Sequence, residues 1–189
     1  MKNVGLGIGG DDSVHAGIAL QSDGTFLLRH GAIDLGQGSN TVMCQIAAQA
    51  LGVSYDRIHY LTGDTHRAQD GGITAASRQT YITGRATLEA SKLLRSHVME
   101  FAARSYGVRL EKLLLTETGQ FLDLEKEVVV GDLEDLAHLA QQQGKVLAAD
   151  YYHRPPPTFR ILSPEQRQAM GLDEETYLNY PALCYMCHV

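Results

Sequence analysis

Cysteine is scarce in this chain. Its 189 residues hold three, an odd number that argues against a disulfide scaffold and makes a reducing cytoplasm the default compartment. Long apolar runs are missing too: none approaches the roughly 18 residues of a membrane helix, and no charged-then-apolar secretory start opens the chain. Positive charge is in short supply. Lys and Arg number 16 against 22 Asp and Glu, a net charge of −6 and a pI near 5.7. A duplex nucleic-acid binder would carry a basic face instead, so neither nucleic acid nor membrane is an expected partner. The G-x-S-x-G elbow of a serine hydrolase and the Walker A loop are absent, as are the cysteine spacings of iron–sulfur clusters, internal repeats and low-complexity tracts.

Glycine, by contrast, is concentrated. Of 19 glycines, 14 lie in the first 84 residues. Glycine serves where φ is positive or where something must approach the backbone, so the first half reads as a site-builder. Apolar residues make up 44% of the chain, enough for the core of one domain or one and a half.

The patterning predicts a hairpin from strands 14–20 and 25–30 around Asp23-Gly24. A helix follows, with Ser39 as N-cap, Val42, Met43, Ile46, Ala47, Ala50 and Leu51 at helical spacing, and Gly52 as C-cap. Residues 57–62 read as a strand. After the glycine loop 63–73, a long helix runs to Tyr106, its stripe made by Ile82, Ala86, Ala90, Leu93, Leu94, Val98 and Phe101. Gly84 sits inside it at a cost of about 1 kcal/mol against Ala, which a close packing contact or a break would explain. The second half predicts strands near 113–117 and 127–130, a helix capped by Gly131-Asp132, and a strand over 145–153. The expected fold is α+β: a two-layer mixed sheet with helices packed on one face, including one long helix. Residues 1–12 read as a flexible glycine-rich segment and 13–153 as the α+β domain. Residues 154–189 read as an extended segment with a terminal strand, packing on a domain outside the chain.

Three motifs carry little. Gly5-Leu6-Gly7-Ile8-Gly9-Gly10 fits G-x-G-x-x-G, but only four residues precede it and Asp11-Asp12-Ser13 follows in place of a helix. Cys184-Tyr185-Met186-Cys187-His188 fits the haem-attachment pattern. It falls in a predicted strand, where residues three apart face opposite sides and could not share a metal. Asp64-Thr65-His66 resembles a ligand pair, without a second cluster at metal spacing. No metal ligands are therefore assigned.

Two loops remain: Gly36-Gln37-Gly38-Ser39 and Gly71 to Thr80. Both end at predicted helix starts, which offer free N–H groups and partial positive charge to an anion. Small residues let a large ligand reach the backbone. Gln37, Ser77, Gln79 and Thr80 add neutral donors and acceptors, and Arg78 adds a fork suited to phosphate. A polar, anionic, multi-ring ligand held by main chain would suit these loops; two well-capped structural helices would show some of the same features.

Those loops resemble the molybdenum hydroxylases, the xanthine dehydrogenase and aldehyde oxidase family. Asp34-Leu35-Gly36-Gln37-Gly38 with Thr41 and Gln45 looks like its D-L-G-Q-G-x-x-T-x-x-x-Q segment. Gly63-Asp64-Thr65, then Gly72-Ile73-Thr74-Ala75-Ala76-Ser77-Arg78-Gln79-Thr80 and Gly84-Arg85-Ala86, looks like its second stretch. Pro155-Pro156-Pro157-Thr158 and Pro181-Ala182-Leu183-Cys184 also sit as in that family, so the similarity covers about residues 10–189.

The resemblance implies part of a molybdenum-binding large subunit. Such enzymes hydroxylate a purine, an N-heterocycle or an aldehyde with water as oxygen source. The implied cofactor is molybdopterin holding Mo, in the cytosine dinucleotide form suggested by Arg78-Gln79. Gly36, Gln37 and Gly38, with Ser39, would touch the pterin or its phosphate. The backbone at Thr74, Ala75 and Ala76 would lie beside the metal, and Ser77, Arg78, Gln79 and Thr80 would bind the phosphate end. Implied partners are the remainder of the subunit, iron–sulfur and flavin (FAD) subunits or domains, and a small-molecule substrate. The family's base is a Glu outside this chain, so no catalytic residue is assigned and the chain alone is expected to be inactive. A stand-alone protein that stores or delivers the pterin cofactor is the competing expectation, and a remnant that binds nothing is a third.

Overall fold

The computed structural model describes residues 2–3, 13–68, 70–75, 78–155, 162–172 and 182–183. In chain order the elements are β1 (Lys2–Asn3), β2 (Val14–Leu20), β3 (Phe26–His30), α1 (Ser39–Leu51), β4 (Ile58–Leu61), α2 (Gly84–Tyr106), β5 (Leu113–Leu115), β6 (Gln120–Asp123), β7 (Val128–Asp132), α3 (Leu133–Gln142), β8 (Ala148–His153), α4 (Pro164–Ala169) and β9 (Ala182–Leu183).

The principal sheet has the order β4-β3-β2-β8. Its β3–β4 pair is parallel and the other two pairs are antiparallel, so it is mixed. The β2–β3 hairpin closes as expected: Gly24 takes φ 74° and the Asp23 carboxylate accepts from Thr25 N and Oγ1. Alternation places Val14, Ala16 and Ile18 of β2 and Phe26, Leu28 and His30 of β3 on one buried face. Both large helices cover that face. α1, the crossover between β3 and β4, inserts Met43, Cys44, Ala47 and Leu51. α2 inserts Ala86, Ala90, Leu94, Val98 and Phe101. Each buried Leu or Phe contributes roughly 1.5–3 kcal/mol. Leu93 departs from the expected stripe and is exposed, because it lies one residue off the row set by Ala90, Leu94 and Phe101.

A π-helical turn, Gln79–Thr83, runs directly into α2. Gly84 marks the junction, and a Cβ there would stand 3.0 Å from Ile46 Cδ1 of α1. Close packing is thus the reason for this glycine. Gly52 and Gly107 end α1 and α2 at φ 72° and 64°.

A second sheet, β5-β6-β7, is antiparallel. The sequence predicted its outer strands but not β6, whose four residues are too few to show a period. α3 starts on Asp132, whose carboxylate accepts from Asp135 N, as expected. α4 falls in the stretch read as extended. Its signal was the Ser163-Pro164-Glu165-Gln166 capping box: Ser163 Oγ accepts from Gln166 N, and Gln166 Oε1 accepts from Ser163 N. β1 pairs with β9. The glycine segment 4–12, the Pro156–Pro157 end of the proline run and the Cys184–His188 motif lie outside the described residues.

Candidate functional site

The site grows from the carboxyl ends of the parallel pair β3–β4, a place where α/β sheets often present loops to ligands. Beyond His30 the chain turns through Gly31–Gly38; beyond Leu61 it turns through residues 62–75. Close backbone contact brings the two loops together. A Cβ on Gly71 would collide with the main chain of Gly31 and Ala32, reaching 2.7 Å from Ala32 N. The Thr62 hydroxyl donates to Ala32 O at 2.7 Å. Between the loops lies a cleft of about 370 Å³, within the usual range for small-molecule sites. Glycines line much of it: Gly31, Gly63, Gly71 and Gly72. Its carboxylates, Asp64 and Asp70, are engaged in local turns. Asp64 accepts from His66 N and Arg67 N, and Asp70 accepts from Gly72 N.

Hydrogen bonds connect the loops through Ile33. The Gln79 carboxamide donates to Thr74 Oγ1 at 3.0 Å, and Thr74 Oγ1 accepts from Ile33 N at 3.2 Å. Ile33 O accepts from Gln37 Nε2 at 3.0 Å and from Ser39 Oγ at 3.3 Å. Thr74, Gln79, Gln37 and Ser39 therefore belong to one network. Thr80 is exposed on the π-helical turn and Ala75 is half-buried. Ala76 and Ser77 lie outside the described residues.

Two expected features take a different form. Ser39 is not the N-cap of α1; that position is Gly38, at φ 78°, and its lack of a side chain leaves capping to Asp34. The Asp34 carboxylate accepts from Gly36 N at 2.9 Å, Asn40 N at 3.1 Å and Gly38 N at 3.3 Å. These bonds, that from Gly36 foremost, hold it below the usual carboxylate range. The first helix start is thus occupied by an anion of the chain's own. Arg78, read as an open fork, is 2% exposed. Its guanidinium donates to Gly71 O at 2.5 Å, Ile73 O at 3.2 Å and Ser13 O at 3.4 Å.

One buried group went unnoticed in the sequence. His30 is fully buried at the end of β3, stacked beside Tyr60 with ring centroids 6.4 Å apart. Neither ring nitrogen has a partner in hydrogen-bond geometry. Burial lowers its pKa to about 4, against a smaller opposing effect of the Ala32 backbone. Only its position on the core face of β3 could have signalled this. Among the described residues, no three His, Cys, Asp or Glu side chains converge as metal ligands, and no helix is long and apolar enough to cross a membrane.

The cleft is lined by main chain, small side chains, Ile33 and two carboxylates. Cβ positions on Gly36, Gly38 and Gly63 would meet nothing within 4 Å, so open space borders the backbone there.

Comparison with known proteins gives a consistent result. The molybdopterin cofactor-binding domain family matches residues 1–189. The chain is similar to the probable hypoxanthine oxidase XdhD of Escherichia coli, 29% identical over 149 residues, which cover 79% of this chain and 16% of that protein. It is 41% identical over 76 residues to the xanthine dehydrogenase of Drosophila subobscura, covering 40% of this chain and 6% of that one. Among solved structures, CO dehydrogenase from Oligotropha carboxidovorans superposes with a TM-score of 0.63 at 26% identity, over 77% of this chain and 19% of that chain. The aldehyde oxidoreductase of Desulfovibrio desulfuricans shares the fold, with a TM-score of 0.56 at 19% identity over 84% of this chain and 15% of that one. The chain thus spans less than a fifth of the length of each of these proteins.

Proposed function

The chain belongs to the molybdopterin cofactor-binding domain family, and we propose accordingly that the cleft between the 31–38 and 62–75 loops seats the pterin of a molybdenum hydroxylase. The observation behind the reading is the glycine-lined cleft itself, with its two walls tied together through Ile33 and Thr74. When bound, the molybdopterin group supplies a metal centre that hydroxylates a substrate carbon with oxygen from water. This chain's part is to bind and orient. The residues this reading assigns to the cofactor, Gly36, Gln37, Gly38 and Ser39 and then Thr74, Ala75, Ala76, Ser77, Arg78, Gln79 and Thr80, follow the cleft-lining Ile33 and Gly72 in the sequence. The cytosine dinucleotide form rests on the Arg78-Gln79 resemblance alone; the buried guanidinium offers no free fork to its diphosphate. The substrate class (purine, N-heterocycle or aldehyde), the partners (the rest of the subunit with iron–sulfur and flavin units) and a cytoplasmic setting belong to the same reading.

Filling the cleft tests it. Thr65 is exposed and lines the cleft, so Thr65→Trp adds volume there without disturbing the core. In the complete protein carrying this chain, the expected result is at least a tenfold drop in bound Mo and pterin per chain, with the unfolding midpoint of the cofactor-free protein unchanged. Unaltered Mo and pterin content would refute the placement.

A further inference from the structure

Arg78 and Gln79 stand side by side at the start of the π-helical turn, both at least 95% buried. Their side chains converge on the same two carbonyls. The Arg78 guanidinium donates to Gly71 O and Ile73 O at 2.5 and 3.2 Å. The Gln79 carboxamide donates to the same oxygens at 3.2 Å each, and to Thr74 Oγ1 at 3.0 Å. The Thr83 hydroxyl, one helical turn on, donates to Gln79 Oε1 and fixes which end of the amide faces the loop. Gly72 completes the fit. A Cβ on it would stand 2.6 Å from Arg78 Nη2 and 3.0 Å from Cζ, so the guanidinium lies against a bare backbone at φ +60°.

We infer that Arg78 and Gln79 are positioning residues that clamp the 71–74 loop and fix the direction of its peptide planes beside the cleft, rather than ligands of a phosphate. The reasoning is stereochemical. All described peptides are trans, and in a trans peptide the N–H points opposite to the carbonyl of the preceding residue. With Gly71 O and Ile73 O turned onto the clamp, the N–H groups of Gly72 and Thr74 face the other way. Asp70, which lines the cleft, receives the first. The second has no partner among the described residues. A single Arg at that point would leave the loop free to swivel about one set of bonds; two planar groups sharing two acceptors fix its orientation. The inference rests on the cleft being the cofactor seat only for its functional consequence. The clamp itself is a property of the cofactor-free chain.

Amide hydrogen exchange in the complete protein, prepared without cofactor, separates the two roles. With Arg78→Ala, exchange of the 70–75 segment is expected to speed up at least tenfold while the α2 segment 86–102 keeps its protection. Thr83→Val should give a smaller change in the same segment. Where Arg78→Ala loosens the whole chain, Gln79→Leu decides: acceleration confined to 70–75 supports the clamp, and unchanged exchange overturns it. The loaded protein supplies the readout that a purely structural role would not move. Pterin release, followed by its fluorescence after oxidation, should accelerate at least tenfold in Gln79→Leu with no shift in the global unfolding midpoint, because the amide's bonds to Gly71 O and Ile73 O are lost while the Arg78 charge is kept. A phosphate ligand would instead leave cofactor-free exchange of 70–75 unchanged in both Arg78→Ala and Gln79→Leu, and that pair of results would overturn the proposal. If Thr65→Trp keeps its pterin while Arg78→Ala still loosens 70–75, the cofactor placement fails and the clamp stands.

Discussion

A histidine buried in the core has a measurable consequence. His30 is neutral in the folded protein down to pH about 4, whereas an unfolded histidine takes a proton near pH 6.5. Above pH 6.5 both states are neutral and the group adds no pH dependence. Between pH 6.5 and 4 only the unfolded chain gains the proton, so stability is lost through that window. The loss reaches about 3 kcal/mol at pH 4, from 1.36 kcal/mol per pKa unit. Replacing His30 with Leu removes the term. Urea unfolding of both proteins at pH 7 and pH 4 should show their stability difference changing by that amount; parallel pH profiles would refute it. Asp34 titrates at the other end of the pH scale. Its depressed pKa adds stability above the usual carboxylate range, lost as pH falls through the lowered value. These two residues show what a sequence hides. Asp34 was visible as part of a motif but not as the acceptor for three N–H groups, and only the alternation with Phe26 and Leu28 marked His30 as buried.

At the scale of elements, the α1–α2 contact depends on one missing methyl group. Gly84→Ala gains up to about 1 kcal/mol of helix propensity but puts its Cβ 3.0 Å from Ile46 Cδ1, so its net effect should be close to zero. Shortening Ile46 to Val removes that carbon. In the Ile46→Val background, Gly84→Ala should then stabilise by close to the full ~1 kcal/mol, and a double-mutant cycle by denaturant unfolding measures the coupling. Additive effects would show the contact to be unimportant. Boundaries of β2, β3, α1, α2 and α3 were legible because long periodic runs end at glycines or an Asp cap. β6 and α4 were not: one is four residues long, and the other relies on a capping box in a proline-bordered stretch.

Among the described residues, the principal sheet and its helices form a packed base, and the two glycine loops leave it at a single end. A ligand that binds only the folded state adds stability of RT ln(1 + [L]/Kd), about 4 kcal/mol at a thousandfold excess over Kd. Protein loaded with molybdopterin should therefore melt several degrees above the cofactor-free form. Thr65→Trp should erase that increment and leave the cofactor-free melting temperature in place. Calorimetry of the two forms with and without the substitution checks this; an equal increment in both would place the cofactor elsewhere. Two apolar side chains on the loops are exposed, Leu35 at 74% and Ile73 at 58%.

By itself, the order of residues determined the class of fold, the hairpin, the two large helices and the two glycine loops. Those features depend on local periodicity, on positive φ and on short-range caps, all of which are properties of neighbours in the chain. Only the tertiary structure decided how the loops are used. Arg78 reads in sequence as a fork held out to a phosphate; folding buries it on Gly71, Ile73 and Ser13, the last 65 residues away. The α1 start reads as an open anion site; folding closes it with Asp34. In both cases the deciding interaction is a hydrogen bond to a main-chain group whose direction follows from packing, and no spacing along the chain encodes that direction.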